Sequence, residues 1–310
     1  MQLRDRIGRR LKLHDLNVLM TVVQAGSMGK AAARLNTVQP AVSRSIAELE
    51  HALGVRLVER HRQGIEPTIY GRALLDCGMT VFDDLRQGVR NIEFLIDPTA
   101  GDVRIGCNPV LATSFVSTVI DQISKRYPRI VFHLTVSPVE SLLSELNERN
   151  VDLLITRKSS PTEHDRLAFE SLFDDSFVIV AGSQYRRRTT KLADLVNEPW
   201  VLPPPESVLG TVARNAFRAS GFEYPRVTVV AIPPEVRINL LATGRFLTIF
   251  PTSVLKFSPR RSEMKALPVK LPTSRVTNGI VTLKNRTLSP VALLVIDVAR
   301  GVAKSLARRK

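Results

Sequence analysis

Apolar residues recur along this chain with changing period, and each change of period marks a new unit. Leu13, Leu16, Val18, Leu19, Val22 and Val23 keep helical spacing and predict an amphipathic first helix. Ser27 is a good N-cap for a short helix over 28–35, whose Ala31, Ala32 and Ala33 allow close helix approach. Asn36 tolerates the left-handed conformation that a tight turn needs. Thr37 is expected to cap the next helix, with Pro40 in its first turn, where a missing N–H costs nothing. At about 100° per residue, Val42, Ile46, Leu49 and Leu53 fall on one narrow apolar arc, while Gln39, Pro40, Ser43, Arg44 and Ala47 occupy another. The first arc docks the helix; the second offers donors and a planar cation to base edges and phosphates. Residues 56–59 and 65–67 read as two strands around a basic tip, 60–64. The expected unit is a winged helix-turn-helix over 11–68, mainly α, with the motif itself at about 28–47.

Thr68 can cap a long helix over 69–96. In it Leu75, Phe82, Val89 and Ile96 repeat every seven residues, with Leu85 and Ile92 at the interleaved position, which is the a/d seam of a coiled coil. Packing on its own domain would produce a similar stripe, but the helix would span ~40 Å, more than a small winged helix covers. Self-association through Leu75, Phe82, Leu85, Val89 and Ile92 is therefore expected, locally weakened by Gly78 and Gly88. Residues 97–101 end this linker helix and read as a hinge.

Beyond the hinge the period alternates between strand and helix: strand 103–107, helix 113–126, strand 130–136, helix 138–149, strand 151–156. A second run follows with strands 177–181 and 200–202, helix 208–220, strand 227–232, helix 235–243 and strand 246–250. Such βαβ runs imply parallel sheets. Residues 275–284 and the helix 290–306 return to the first half, giving lobe I as about 102–174 and 276–308, and lobe II as about 175–275. Two α/β lobes joined by crossing strands resemble the periplasmic-binding-protein fold, with a ligand between them at strand C-termini and helix N-termini. That topology nominates Asn108, Thr113, Ser137, Pro204, Ser207, Ile232 and Pro233 as ligand-binding residues. Thr113 or Ser114 should start its helix with free N–H groups, and Ser137 heads a capping box, S-P-V-E, with Pro138 at the first helical position.

Net charge of +15 favours a polyanionic partner, although the basic residues extend beyond the first domain, as at 186–188, 260–261 and 308–310. Residues 1–13 are charged and carry no signal-peptide core, and no apolar run approaches the ~20 residues of a membrane span, so neither export nor a membrane partner is expected. Cys77 and Cys107 read as reduced, buried small hydrophobes. The five histidines lack metal-ligand spacing, so no metal and no cofactor is expected. No G-x-S-x-G, Walker A loop, G-x-G-x-x-G or paired C-x-x-C occurs, and the S-x-x-K at Ser27 to Lys30 opens the first helix of the motif without partner motifs. No catalytic residue is nominated.

The string AAARLNTVQPAVSRSIAELEHALGVRLVER, followed by Pro67, Thr68 and Gly71, resembles the N-terminal domain of LysR-type transcriptional regulators, and the layout that follows is also that family's. The resemblance implies groove-facing roles for Gln39, Pro40, Ser43 and Arg44, with Arg34 and Arg62 on the flanking backbone; Ser27 and Thr37 complete the expected DNA-binding set. The chain departs from the commonest pattern in an arginine-rich N-terminal arm, residues 1–10. The function implied is a cytoplasmic, nucleoid-associated, one-component regulator. It would bind double-stranded promoter DNA as a homodimer or homotetramer, contact RNA polymerase, and sense a small organic acid, aromatic, sugar or amino acid. Two rival classes are a solute-binding protein and a constitutive architectural DNA binder with an inert effector domain. The first 68 residues and the lack of a signal-peptide core speak against the former; an effector response would speak against the latter.

Overall fold

Helical spacing becomes helix over α1 (Leu13–Ala25), α2 (Met28–Arg34) and α3 (Gln39–Leu53), followed by the hairpin β1 (Val58–His61) and β2 (Gly64–Pro67). A computed structural model describes residues 11–158, 166–187, 191–272 and 275–307; the arginine-rich arm lies outside the described residues. The chain divides into two compact units, Met1–Gly88 and Val89–Lys310.

In the first unit Val18, Leu19 and Val22 of α1, Ala31 and Ala32 of α2, and Val42, Ile46 and Leu49 of α3 close one core with Leu57 and Val58. Each fully buried aliphatic side chain there stabilises the fold by about 1.5–3 kcal/mol. Ser27 Oγ accepts from Lys30 N at 3.2 Å, the expected cap, and Asn36 has φ 50°. Thr37 is not the next cap: its N–H donates to Ala32 O at 3.0 Å, closing the end of α2, so Val38 takes the N-cap position without a side-chain bond. Ser45 Oγ donates to Asp15 Oδ1 at 3.0 Å and ties α3 to α1. The hairpin pairs Val58 with Pro67 and His61 with Gly64, and Ile65 N donates to Gly26 O at 2.9 Å, which anchors the wing on the α1–α2 turn.

The linker helix α4 runs Ile69–Ile96. Thr68 Oγ1 accepts from Gly71 N at 3.0 Å and donates to Arg56 O at 2.7 Å, so this cap also binds the wing. Leu75 packs half-buried against the winged-helix core beside Leu74, so part of its side chain is already used within the chain. Cys77 is exposed, against expectation, because it faces outward on this helix. After α4 the expected hinge is a pinned turn. Thr99 donates its N–H (3.0 Å) and hydroxyl (2.7 Å) to Asp97 Oδ1, and Arg129 pairs with Asp97 at 2.6 Å. These bonds, the threonine's first, hold the Asp97 carboxyl below its usual range.

The second unit holds two five-stranded sheets. One contains β3 (Ala100–Cys107), β4 (Arg129–Val136), β5 (Leu153–Arg157), β6 (Leu167–Asp175) and β12 (Val276–Leu283), in the order β4-β3-β5-β12-β6. The other contains β7 (Phe177–Gly182), β8 (Trp200–Leu202), β9 (Val227–Val230), β10 (Leu247–Pro251) and β11 (Met264–Ala266), in the order β11-β7-β10-β8-β9. Each sheet is parallel on its βαβ side, as expected, but β12 runs antiparallel to β5 and β6, and β7 antiparallel to β10 and β11. The chain crosses between lobes at Ser176 and again between β11 and β12, so two strand ends meet where Val276 pairs with Asp175. Helices α5 (Pro109–Leu111), α6 (Ser117–Arg126), α7 (Val139–Asn147) and α11 (Pro290–Ala307) belong with the first sheet. Helices α8 (Val208–Ala219), α9 (Pro234–Ala242) and α10 (Thr252–Phe257) follow strands β8, β9 and β10. Among the described residues no helix is long and apolar enough to cross a membrane.

Candidate nucleic-acid interface and inter-lobe cavity

Helix α3 separates its two faces cleanly. Val42, Ile46 and Leu49 are buried, whereas Gln39, Pro40, Ala41, Arg44 and Ala47 are exposed at its start and outer face and Ser43 is half-buried. The start of α3 lies close to α2, since a Cβ on Gly29 would stand 3.5 Å from Gln39 Oε1. Ser27 is half-buried by its cap, while Arg34, Thr37 and Arg62 are exposed, Arg62 at the tip of the wing. Gln39 carries an amide that can pair with adenine N6 and N7, and Arg44 a fork that suits guanine O6 and N7 or a phosphate. Free N–H groups at the uncapped start of α3 favour a nearby phosphate as well.

In the second unit a cavity of about 460 Å³ opens between the lobes. Strand ends and the helix starts after them line it: Asn108 and Pro109 after β3, Ser137 to Glu140 after β4, Arg157 at the end of β5, and Ser207 to Leu209 at the start of α8. Asp175, Phe177, Ile232, Val276 and Asn278 add walls from both lobes and the crossing strands. Of the nominated residues, Asn108, Ser137, Ser207 and Ile232 lie here, whereas Thr113, Pro204 and Pro233 do not.

The misplacements have local causes. Asn108 Oδ1 accepts from Leu111 N at 3.0 Å, so the helix starts at Pro109. Thr113 therefore falls inside a π-helical turn (Ala112–Val116) and spends its hydroxyl on Val110 O at 3.1 Å. Ser137 is not a cap either. Its N–H reaches Cys107 O at 3.3 Å, which extends the β3–β4 ladder, and α7 begins after Pro138 with no side-chain cap. Ser207 does cap α8, accepting from Gly210 N at 3.1 Å and donating to Pro204 O at 2.6 Å, and it is Pro203 that lines the cavity in place of Pro204. Pro233 is the exposed N-cap of α9.

Charge in the cavity is uneven. Arg157 is half-buried, and among the described residues its guanidinium makes no hydrogen bond. Burial holds it below its ordinary value, and the Glu140 charge pulls the other way. Glu140 and Glu206 lie exposed at the rim. Asp175 is buried; its Oδ1 accepts from Thr252 Oγ1 (2.7 Å) and Ser253 N (3.1 Å), while Oδ2 has no partner. Burial pushes its carboxyl above the usual range despite those bonds. Arg157, Asp175, Glu206 and Asn278 were not among the nominated residues. For Arg157 the signal available was a charge two residues past the apolar run Leu153, Leu154, Ile155, the strand-end position that topology marks for ligands.

A winged helix with an exposed polar reading face, followed by a two-lobed α/β unit with an inter-lobe cavity, defines a DNA-binding regulator with a substrate-binding domain. The helix-turn-helix profile of bacterial regulatory proteins of the lysR family matches residues 13–72, and the LysR substrate binding domain profile matches residues 97–304. The chain belongs to the LysR family of transcriptional regulators. It is 28% identical over 305 residues to the HTH-type transcriptional regulator GbpR of Azospirillum brasilense, covering 97% of this chain and 89% of that protein. A full-length OxyR variant of Pseudomonas aeruginosa shares the fold with a TM-score of 0.63 at 18% identity, covering 95% of this chain and 97% of that one. Full-length CbnR in complex with its target DNA does so at 0.60 and 19%, covering 94% and 100%.

Proposed function

We propose that this chain binds promoter DNA as a homodimer or homotetramer and alters that binding when a small organic monoacid with an apolar body enters the inter-lobe cavity. The exposed face of α3 supports DNA reading by Gln39, Pro40, Ser43 and Arg44, with Ser27, Arg34, Thr37 and Arg62 toward the backbone. Assembly is supported by a stripe on α4: Phe82, Leu85, Val89, Ile92 and Ile96 fall within an arc of about 80°. Of these, Leu85, Val89, Ile92 and Ile96 are 49–80% exposed in the single chain. A continuous apolar stripe of that kind is the surface one copy would bury against another.

The observation that carries the ligand reading is the Arg157 guanidinium, set in an apolar-walled cavity without a hydrogen-bond partner among the described residues. A carboxylate would take its fork bidentately. The walls formed by Val110, Val136, Val139, Phe177, Leu209 and Val276 suit an apolar body, and the rim carboxylates of Glu140 and Glu206 disfavour a second negative charge. A thermal-shift series on the full chain tests this, using aromatic and branched aliphatic monocarboxylates, each beside its neutral amide. An acid at 100 times its Kd should stabilise by about 2.7 kcal/mol. Its amide should not, and Arg157→Met should remove the shift. Equal shifts from acid and amide would refute the role of Arg157. For assembly, Val89→Glu should lower the mass seen by light scattering; unchanged mass and unchanged operator affinity would make the stripe a surface without a partner copy.

A further inference from the structure

The N-cap of α3 is Val38, and no side chain caps that helix. N-caps favour Ser, Thr, Asn or Asp because their oxygen takes an orphan N–H, and a valine forgoes that bond. The Val38 side chain is 65% exposed. It stands at the leading end of the reading helix, in one exposed run with Gln39, Pro40 and Ala41, six residues before Arg44. A valine at this point gives up the stability of a capping bond and holds an isopropyl group out at the leading end of the helix, where a partner can meet it. The thymine C5-methyl is the apolar feature that base pairs present in the major groove, and the first residues of a recognition helix are those that reach base edges.

We propose that Val38 is a specificity-determining residue that selects thymine by packing on its methyl group. The proposal rests on α3 being the DNA-reading helix. A binding site is first selected from a random duplex pool with the full chain, and each thymine is then replaced singly by deoxyuridine, which removes only the methyl. At one thymine in each half-site the replacement should weaken the wild-type complex by about fourfold, the worth of one buried methylene-sized group. Val38→Ser restores a capping oxygen, so its thermal stability should equal or exceed that of the wild type. On the unmodified site it should bind about as weakly as the wild type binds the deoxyuridine site, and it should lose nothing more there. Val38→Ala, which leaves the helix uncapped, should show the same insensitivity. The proposal is overturned if deoxyuridine weakens wild type and variants by the same factor, or if no thymine responds. Arg44→Ala on the same duplex separates the two readings. If it loses affinity while the thymine scan is flat, α3 still reads DNA and Val38 does not select the base. If Arg44→Ala and Val38→Ser both bind like the wild type, the reading helix itself is wrong.

Discussion

Replacing Arg90 by methionine should loosen the end of the linker helix from lobe I while leaving the winged-helix unit intact. Arg90 lies on α4, and its Nη2 donates to Asp102 Oδ2 at 2.8 Å while Nη1 donates to both oxygens of Asp152 at 3.1 and 3.3 Å. The Arg90 side chain is 11% exposed and that of Asp152 2%. Breaking a buried ion pair by removing one partner costs about 3–5 kcal/mol when the other charge is left alone. Asp152 is not left alone: Arg286 Nη2 and the Arg104 N–H each reach it at 2.9 Å. Asp102 is a third exposed and rehydrates readily. Methionine also keeps most of the hydrocarbon packing, so the cost should fall to about 2–3 kcal/mol. In a unit of this size that is a drop of about 5–10 °C in its transition. Differential scanning calorimetry of the full chain should show the larger unit melting earlier, with the smaller unit unmoved. Removing Asp152 instead leaves two arginines facing each other, so Asp152→Ala should cost more than Arg90→Met. If Arg90→Met melts within about 0.5 kcal/mol of wild type, the desolvation of the network cancels its attraction. The helix end would then be held by Phe94, which packs on the same core.

Three further outcomes follow from local geometry. Gly71→Ala would set a Cβ 2.0 Å from Leu57 O, so the winged-helix unit should lose about 1–3 kcal/mol, measured as an earlier calorimetric transition; an unchanged transition would mean that α4 can shift off the wing freely. Burial pushes the Cys107 thiol up to about 12, so at pH 8 only about one molecule in 10⁴ carries its thiolate. Ellman's reagent should then titrate one thiol per native chain, the exposed Cys77, and two in denaturant; two fast native thiols would refute the burial of Cys107. Arg237 is fully buried over the Phe250 ring with Nε and Nη2 unpartnered, so Arg237→Met should leave stability unchanged or raise it by about 2 kcal/mol in urea unfolding, and a loss would show that the guanidinium is needed.

Local periodicity was enough for the first unit because its core is built from neighbours in sequence. The arc of Val42, Ile46 and Leu49 that is legible at 3.6 residues per turn is the face buried against α1 and α2. Strand β6 was not legible. Its sequence, LAFESLFDD, carries charge at Glu170 and near its end, is mostly half-buried, and shows no clean alternation. What makes it a strand is a ladder to β12, about a hundred residues further on, where Ile280 pairs with Glu170 and Val276 with Asp175. Strand β11, three residues long, is likewise defined by its pairing with β7.

The caps show the same limit at finer scale. Thr37 and Ser137 have the right side chains for capping, yet each backbone N–H is already committed, to Ala32 O and to Cys107 O respectively. In each case that bond holds the residue in the end of the preceding element, and the helix starts one residue later, with Val38 and Pro138 at the N-cap positions. These slides decide which atoms face the two sites. At α3 the slide replaces a hydroxyl by an exposed isopropyl group at the leading end of the reading helix. At α7 it leaves Ser137 on the cavity wall, its hydroxyl free of any capping bond. The chemistry at both sites turns on one residue of register, set at α3 by a bond five residues back along the chain and at α7 by pairing with β3, neither of which a capping motif read by letter reveals.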